Sequence, residues 1–177
     1  MAEVVAVNVR FVGIELLHDA IDKAGLKAPY AIAKAVDEVG NKTMTQVRRS
    51  VAKQAGVKYG RVAKVLSKRQ AMGAGEGSYS IIARDVTMSL KEFGPRKTRK
   101  GVSAAPWGKR RVFPHSFIGP GGHIFHRVGK SRLPIKKMYG PAIPKEMVKD
   151  QTEALFYAFT AQALPSALEK WLFRAWG

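Results

Sequence analysis

The chain has 177 residues and a formal net charge of +18, with 31 lysines and arginines against 13 aspartates and glutamates. Hydrophobic residues make up 46% of it, which is enough for a core, and no apolar run reaches the roughly 18 residues of a membrane span. The charge predicts a polyanionic neighbour: DNA, RNA or an acidic protein surface. The absence of cysteine excludes disulfides and thiolate metal sites. Together with the non-basic start Met1-Ala2-Glu3, it predicts a soluble, unexported protein of a reducing cytosol.

The amino-terminal third predicts helices. Residues 4–12 alternate loosely, as in a first strand or a lead-in to a helix, and residues 14–24 have helical spacing. A longer helix is predicted to begin at 27–29, with a proline in its first turn, and to end at Gly56. A shorter helix is expected at about 60–67.

The long helix has one apolar stripe, with charged residues such as Asp37 and Glu38 off that stripe. The stripe consists of Ile32, Val36, Val39, Thr43, Val47 and Val51. From Lys42 to Arg69 there are nine basic residues and no acid. We therefore expect no Glu–Lys pairs at i,i+4 and a positive exposed face. Gly40 interrupts the helix at a cost of about 1 kcal/mol relative to alanine.

The middle of the chain predicts a small, mainly antiparallel sheet. Residues 72–78 predict a flexible turn, and residues 79–84 and 87–93 predict two strands of a hairpin or meander. Residues 94–101 predict a mobile basic loop. Further strands are expected at residues 102–107, 111–113 and 123–128.

The last part returns to a helical pattern. It begins at Pro144, places Glu146 in a first turn where the helix dipole favours an acid, and is kinked or broken at Pro165. Near its end, Trp171, Phe173 and Trp176 form an aromatic cluster. We interpret that cluster as a packing or subunit-docking face.

The predicted fold class is α+β, with amino-terminal helices, a small antiparallel sheet in the middle and a long carboxyl-terminal helix. A single domain is expected over residues 1–177. Its parts are a helical region at 14–67, a β-rich region at 79–139 and a helical region at 144–177.

Residues 113–144 are rich in glycine, proline, histidine and aromatic residues, so they predict short strands joined by fixed turns. The apolar residues predicted to anchor this segment in the core are Phe113, Phe117, Ile118, Ile124, Phe125, Leu133, Ile135 and Tyr139. Gly129-Lys130-Ser131 is not a phosphate-binding loop, because position 124 is not glycine and Leu133-Pro134 follows instead of a helix.

The histidines of this segment do not predict a metal site. His123 and His126 are three apart on an expected strand and should point to opposite faces, and no acid or cysteine lies between residues 93 and 145. The sequence also lacks a catalytic triad pattern or clustered carboxylates. We therefore predict no catalytic residue, cofactor or metal.

The basic residues of the middle region are the candidate contacts for a polyanion. Between Lys91 and Lys137 there are thirteen lysines and arginines and one acid, Glu92. The candidates for contact with DNA or an acidic partner are Arg96, Lys97, Arg99, Lys100, Lys109, Arg110, Arg111, Arg127, Lys130 and Arg132. The alternative is that these residues only keep loops soluble. Because no base-reading motif is present, nucleic-acid contact would be non-specific and salt-dependent.

Four consecutive motifs carry a family resemblance: 117–118, 123–127, 129–135 and 139–144, which read FI, HIFHR, GKSRLPI and YGPAIP. Their order and spacing resemble the prophage minor tail protein Z family of tailed bacteriophages, over about residues 107–147. The signature positions are Phe117, Ile118, Gly121, Gly122, Gly129, Pro134, Pro141 and Pro144.

The resemblance implies a virion protein, assembled in the bacterial host cytoplasm, that completes the tail at the head–tail junction, or neck. It implies a ring of copies around the DNA path, with a hexamer as one option. The implied partners are tail terminator, tail tube or neck proteins and the genome DNA, without a membrane or a small-molecule substrate.

Two expectations about side chains accompany this reading. The turns should present Phe117, Ile118 and Phe125 to the core, and from their charge Arg127, Lys130 and Arg132 should meet acidic neighbours or the genome end. Two other functions stay open. One is a free-standing, non-specific nucleic-acid-binding protein, and the other, ranked lower, is a tail-associated nuclease or protease.

Overall fold

A computed structural model describes residues 25–74, 78–84, 87–129 and 131–176 of the chain. The strand expected at 4–12 and the helix expected at 14–24 lie outside these residues. The described part is α+β, as predicted, with long helices before and after a β-rich middle.

The helices and strands have the following bounds. The α-helices are α1 (Ala28–Ala55), α2 (Tyr59–Val65), α3 (Ala71–Ala74), α4 (Ile143–Met147) and α5 (Asp150–Trp176). The strands are β1 (Leu66–Arg69), β2 (Ser80–Ala83), β3 (Thr87–Ser89), β4 (Arg96–Thr98), β5 (Gly101–Ala104), β6 (Arg111–Pro114), β7 (Ser116–Ile118), β8 (Ile124–Arg127), β9 (Ile135–Lys137) and β10 (Tyr139–Ala142). Short 3-10 turns lie at Gly25–Lys27, Leu90–Phe93, Pro106–Gly108 and Pro120–Gly122.

Every strand pairing among these residues is antiparallel, as predicted, but the strands form four small sheets instead of one. Their orders are β1–β2, β10–β3, β4–β5–β6 and β7–β8–β9. The predicted hairpin of residues 79–84 and 87–93 is wrong, because β2 pairs with β1 and β3 pairs with β10. Strand β3 is short because the turn at Leu90–Phe93 buries the side chains of Leu90 and Phe93 directly after it.

Helix α1 has the predicted length and ends. Pro29 lies in its first turn, and Gly56 ends it in the left-handed conformation with φ +69°. Five residues of the predicted stripe are buried and Ile32 is partly buried. Alanines beside the stripe are buried as well, because α5 packs along α1. The helix is therefore covered over more of its circumference than one stripe.

The expectation that α1 has no i,i+4 Glu–Lys pair is wrong, and the acid Asp37, which lies off the apolar stripe, is buried. Asp37 is only 7% exposed, and its carboxylate accepts a hydrogen bond of 2.7 Å from the backbone N–H of Ala71 at the start of α3. Glu38 forms an i,i+4 ion pair of 2.9 Å with Lys42. The acid-free stretch begins at Lys42, and the partner of Lys42 is Glu38, one turn before that stretch.

The regions after α1 depart from the predicted pattern at three places. Helix α2 ends at Val65, and residues 66–69 leave it as strand β1. Residues 72–74 of the predicted flexible turn belong to helix α3, whereas 75–77 lie outside the described residues. The predicted mobile loop at 94–101 contains strand β4, which forms a hairpin with β5, so this basic segment has a fixed backbone.

The carboxyl-terminal region is two helices, not one. Pro144 and Glu146 belong to the short helix α4, which ends before α5 begins. Helix α5 continues through Pro165 without a break. Glu146 does lie in a first turn, as predicted, and it is only 3% exposed.

The prediction that residues 113–144 anchor the core through their apolar side chains is largely wrong. Of the eight residues expected inside, only Ile124 is fully buried. Phe113, Phe117 and Phe125 are half-buried, and the rest are exposed: Ile118, Leu133, Ile135 and Tyr139. Each strand here has only three or four residues, so one inward position is buried and its neighbours stay at the surface.

Candidate functional site: a basic groove

The candidate site lies where the chain passes from one three-stranded sheet to the other. Strand β6 ends at Pro114 and β7 begins at Ser116, so His115 alone makes the corner. Its φ of +56° is in the left-handed region, which is uncommon for a residue with a side chain. The backbone N–H of His115 donates to the carbonyl of Lys100 at 3.3 Å, which ties the corner to the β4–β5 turn.

The hydroxyl of Ser116 joins three strands at this corner. It donates a hydrogen bond of 2.6 Å to the carbonyl of Phe113 and accepts one of 2.9 Å from the backbone N–H of Val102. Ser116 is buried, so both bonds are shielded from water. Because Val102, Phe113 and Ser116 belong to β5, β6 and β7, this one side chain links the two sheets.

Gly101 allows the strands to approach closely at the same place. A Cβ atom there would overlap the carbonyl of Phe113, and its φ of +146° is rarely adopted by other residues. The Thr98 hydroxyl caps the β4–β5 turn by donating to the carbonyl of Gly101 at 2.8 Å. The basic turn is thus held against the corner by backbone geometry.

These elements form an open groove of about 1160 Å³. Its basic side chains are Lys97, Arg99, Lys100 and Arg127, with His115 between them. None of the described residues that line it is acidic. The groove therefore has a strongly positive potential with no internal counter-charge.

Apolar side chains line the same groove, and they include Val112, Phe117, Ile118 and Val128. The Phe117 ring is stacked on the Phe125 ring with centroids 6.1 Å apart. The guanidinium of Arg127 lies over Phe117, 5.1 Å from the ring centroid. That cation–π contact holds Arg127 at the groove wall, and no acid among the described residues pairs with it.

The structure brings four of the ten predicted contact residues together in the groove: Lys97, Arg99, Lys100 and Arg127. Arg96, Lys109 and Arg132 are exposed but do not line it. Lys130 lies outside the described residues. The basic residues could be identified from the sequence. The corner between the two sheets, which brings them together in one groove, could not.

Two predicted contact residues have structural partners instead. The guanidinium of Arg110 donates to the side chain of Ser103 at 3.2 Å and to the carbonyl of Gly94 at 3.2 Å. The guanidinium of Arg111 lies near two rings, 4.9 Å from the centroid of Phe113 and 5.2 Å from that of Trp107. We interpret both arginines as supports of the β4–β6 sheet.

The two histidines of β8 and its lead-in lie in different surroundings. The imidazole of His123 is 3.1 Å from the hydroxyl of Ser89, and its pKa is lowered by desolvation and by the nearby Lys137 and Lys91. The Nδ1 atom of His126 is buried and has no hydrogen-bond partner among the residues that the structure describes. Within the described ranges, no three His, Cys, Asp or Glu side chains lie close enough to hold a metal ion.

Glu146, which the sequence indicates only as an acid in a first helical turn, has three side-chain partners. Its carboxylate accepts hydrogen bonds from the indole of Trp107 at 2.9 Å and the amide of Gln54 at 2.7 Å, and the ammonium of Lys149 is 3.9 Å away. Glu92 is likewise engaged by Arg61 at 2.9 Å. Neither acid is available to neutralise the groove.

In the described part of the chain, no helix combines the length and the apolar character needed to cross a membrane. In comparisons with protein-family models, curated proteins and solved structures, nothing matches the chain.

Proposed function

We propose that this chain is a structural component of a tailed bacteriophage or prophage, a tail-completion protein of the head–tail junction that assembles as an oligomer around the DNA path. The proposal starts from the order of residues in 107–147, which resembles the minor tail protein Z family. An observation that supports it is that five apolar side chains of that segment are exposed at the surface.

This exposed apolar set is what an assembling protein needs. Leu133 is 67% exposed and Tyr139 is 52% exposed, and Ile118, Val128 and Ile135 are exposed too. Contiguous patches of exposed apolar residues mark protein–protein interaction sites. Strands β7 and β9 are also edges of their sheet among the described residues, so their outer backbone groups can pair with another chain.

The signature positions support a role in setting the backbone conformation of this segment. Gly121 and Gly122 have φ of +68° and +73°, which a side chain would strain. Pro141, in the strand that precedes α4, and Pro144, in the first turn of α4, are buried. The signature therefore fixes a turn and the start of a helix. On this proposal the protein is not an enzyme, and its partners are further copies, tail terminator, tail tube or neck proteins, and DNA.

Self-association is the first test. We expect the purified chain to run as an oligomer in light scattering and the pair Leu133→Ser and Ile135→Ser to run as a monomer. A matched pair on the helices, Tyr30→Ser and Tyr59→Ser, also removes exposed apolar side chains and should leave the oligomer intact. A wild-type monomer at all concentrations would contradict the proposal.

The virion is the second test. The protein should be found by mass spectrometry in particles produced by the bacterium that encodes it, and portal, tail-tube and tape-measure genes should lie beside its gene. Replacing Arg96, Lys97, Arg99 and Lys100 by glutamine should leave folding intact and impair assembly or DNA placement. Normal infectious particles from that variant would count against a role of this charge in the tail.

The second candidate is a free-standing, non-specific nucleic-acid-binding protein, and the groove favours it. Four basic side chains line this groove, and none of the described residues that line it is acidic. This candidate predicts a monomer that binds duplex DNA with strong salt dependence and is absent from particles. The light-scattering and particle experiments separate the two candidates.

A further inference from the structure

We propose that the groove at the β6–β7 corner binds a single-stranded nucleic-acid segment, with its phosphates on Lys97, Arg99, Lys100 and Arg127 and its bases against the apolar wall. The inference depends only on the groove's own residues, so it holds for either candidate function. The net charge of the chain by itself indicates only a polyanionic partner. The groove specifies where that partner binds and that it is a single strand.

The size and opening of the groove argue against a small metabolite. Its volume of about 1160 Å³ exceeds the range of about 300–1,000 Å³ that is usual for small-molecule pockets. Such pockets are also mostly enclosed and apolar with a few polar groups, whereas this groove is open and carries four long cations. An extended anionic chain fits these properties better than a compact ligand.

The apolar wall argues for unpaired bases. A duplex presents phosphates and sugars on its outside, so Val112, Ile118 and Val128 would gain nothing from a duplex laid across them. A single strand exposes the faces of its bases, which pack on apolar and aromatic side chains. Single-strand sites combine a cationic groove for the backbone with side chains that pack on the bases, and this groove has cations, apolar side chains and the aromatic Phe117.

The backbone of the site is already fixed. The Ser116 hydroxyl, the left-handed His115 and the close approach at Gly101 hold the β4–β5 turn against β6 and β7. Arg127 is positioned over the ring of Phe117. Since little ordering is needed on binding, the groove should bind short oligonucleotides and not only long polymers.

The test uses the full chain and a fluorescent oligothymidylate of about 12 nucleotides, within the site sizes known for single-strand binders. A duplex with the same number of phosphates and sodium polyglutamate serve as competitors. We expect the single strand to bind at least about fivefold more tightly than the duplex, because base contacts are lost in the duplex. Four phosphate contacts predict a log–log salt slope of about −2.8, which is a loss of about 50-fold between about 50 and about 200 mM salt.

Two matched variants locate the site. The groove variant carries Lys97→Gln, Arg99→Gln, Lys100→Gln and Arg127→Gln, and the control variant carries Arg49→Gln, Lys53→Gln, Lys58→Gln and Lys64→Gln, all exposed on or beside the helices. Both lower the net charge by the same amount. We expect the groove variant to lose most of the salt slope and the control to retain it. The pair Ile118→Ser and Val128→Ser should weaken single-strand binding and leave the slope unchanged.

Each other outcome overturns the inference. Equal losses in the groove and control variants would mean that only the overall charge attracts the oligonucleotide. A duplex bound as tightly as the single strand would make the groove a duplex site. Polyglutamate that competes as well as unlabelled oligothymidylate would make it a site for acidic protein segments. Circular dichroism of every variant shows that a loss of binding is not a loss of folding.

Discussion

The indole N–H of Trp107 donates a hydrogen bond of 2.9 Å to the carboxylate of Glu146, which is only 3% exposed. Trp107 belongs to the turn at Pro106–Gly108 between β5 and β6, and Glu146 belongs to α4. The second oxygen of the Glu146 carboxylate accepts a hydrogen bond from the side-chain amide of Gln54, near the end of α1. One buried carboxylate thus connects the basic sheet to the helical core, so the groove's supporting sheet depends on a residue distant from it in sequence.

Replacing Trp107 by phenylalanine should destabilise the protein. It removes the donor and leaves a buried carboxylate oxygen without its hydrogen bond, which costs about 1–3 kcal/mol. The free energy of unfolding, measured in urea, checks this. Tyr157→Phe is the control, because Tyr157 is an exposed aromatic residue and its change should stay within about 0.5 kcal/mol. Equal stability of Trp107→Phe and wild type would mean that the bond contributes nothing net.

The contact of Gly40 with Tyr79 gives a second prediction. A Cβ atom at Gly40 would overlap the base of the Tyr79 ring, and that ring is buried. Gly40→Ala should therefore lower the free energy of unfolding by about 1–3 kcal/mol, although alanine is the better helix former.

Burial also raises the pKa of the Tyr79 hydroxyl to about 12.

Gly60 in α2 provides the matched control for Gly40. A Cβ atom at Gly60 meets nothing within 4 Å, so Gly60→Ala should raise the free energy of unfolding by about 0.5–1 kcal/mol through helix propensity alone. The two substitutions are chemically identical and should have opposite signs. If Gly40→Ala is stabilising as well, the packing of Tyr79 on α1 is looser than the structure indicates.

The long helices were predictable because local signals define them. Pro29 in the first turn, Gly56 after the last and a stripe at helical spacing agree with one another, and packing on α5 reinforces them. Gly40 was interpreted from its propensity alone, and only the structure shows that Tyr79 requires it. Propensity cannot reveal a partner that lies 39 positions away.

The β-rich region was predicted less well because its strands have only three or four residues. A period of two needs more positions before it shows which side chain faces the core. Ile124 is buried while the neighbouring Phe125 is half-buried, and no local pattern separates them. The charges of the groove were visible in the sequence, whereas the corner at His115 and Ser116 depends on non-local contacts with Val102 and Lys100.

The Glu38 carboxylate should make stability depend on acid pH. Hydrogen bonds from Lys170, then Lys42, then Trp171 lower its pKa from the ordinary value of 4.5 to about 2. A carboxyl whose pKa is depressed in the folded state contributes its full stability above its unfolded pKa and loses it as the pH falls through the folded value. The contribution of Glu38 is therefore complete above about pH 4.5 and disappears toward about pH 2.

Glu38→Gln measures this contribution. At neutral pH the variant should be less stable by about 1 kcal/mol, a value kept small because the ion pairs are exposed to solvent. The difference from wild type should shrink as the pH is lowered below 4.5 in urea unfolding. Glu169→Gln, on an exposed position of α5, should change stability by less than about 0.5 kcal/mol at neutral pH. A Glu38→Gln difference that is independent of pH would show that the ion pairs are not its source.

The last prediction concerns the Ser116 hydroxyl, which links the strands at the groove corner. Ser116→Ala leaves the buried N–H of Val102 without an acceptor, so the free energy of unfolding should fall by about 1–3 kcal/mol. Ser166→Ala is the control, because the Ser166 hydroxyl bonds only to a carbonyl of its own exposed helix turn and should change stability by less than about 0.5 kcal/mol. Hydrogen exchange adds a local readout: the amide of Val102 should exchange faster in Ser116→Ala than in the control. Unchanged protection of that amide would show that the corner keeps its geometry without the hydroxyl.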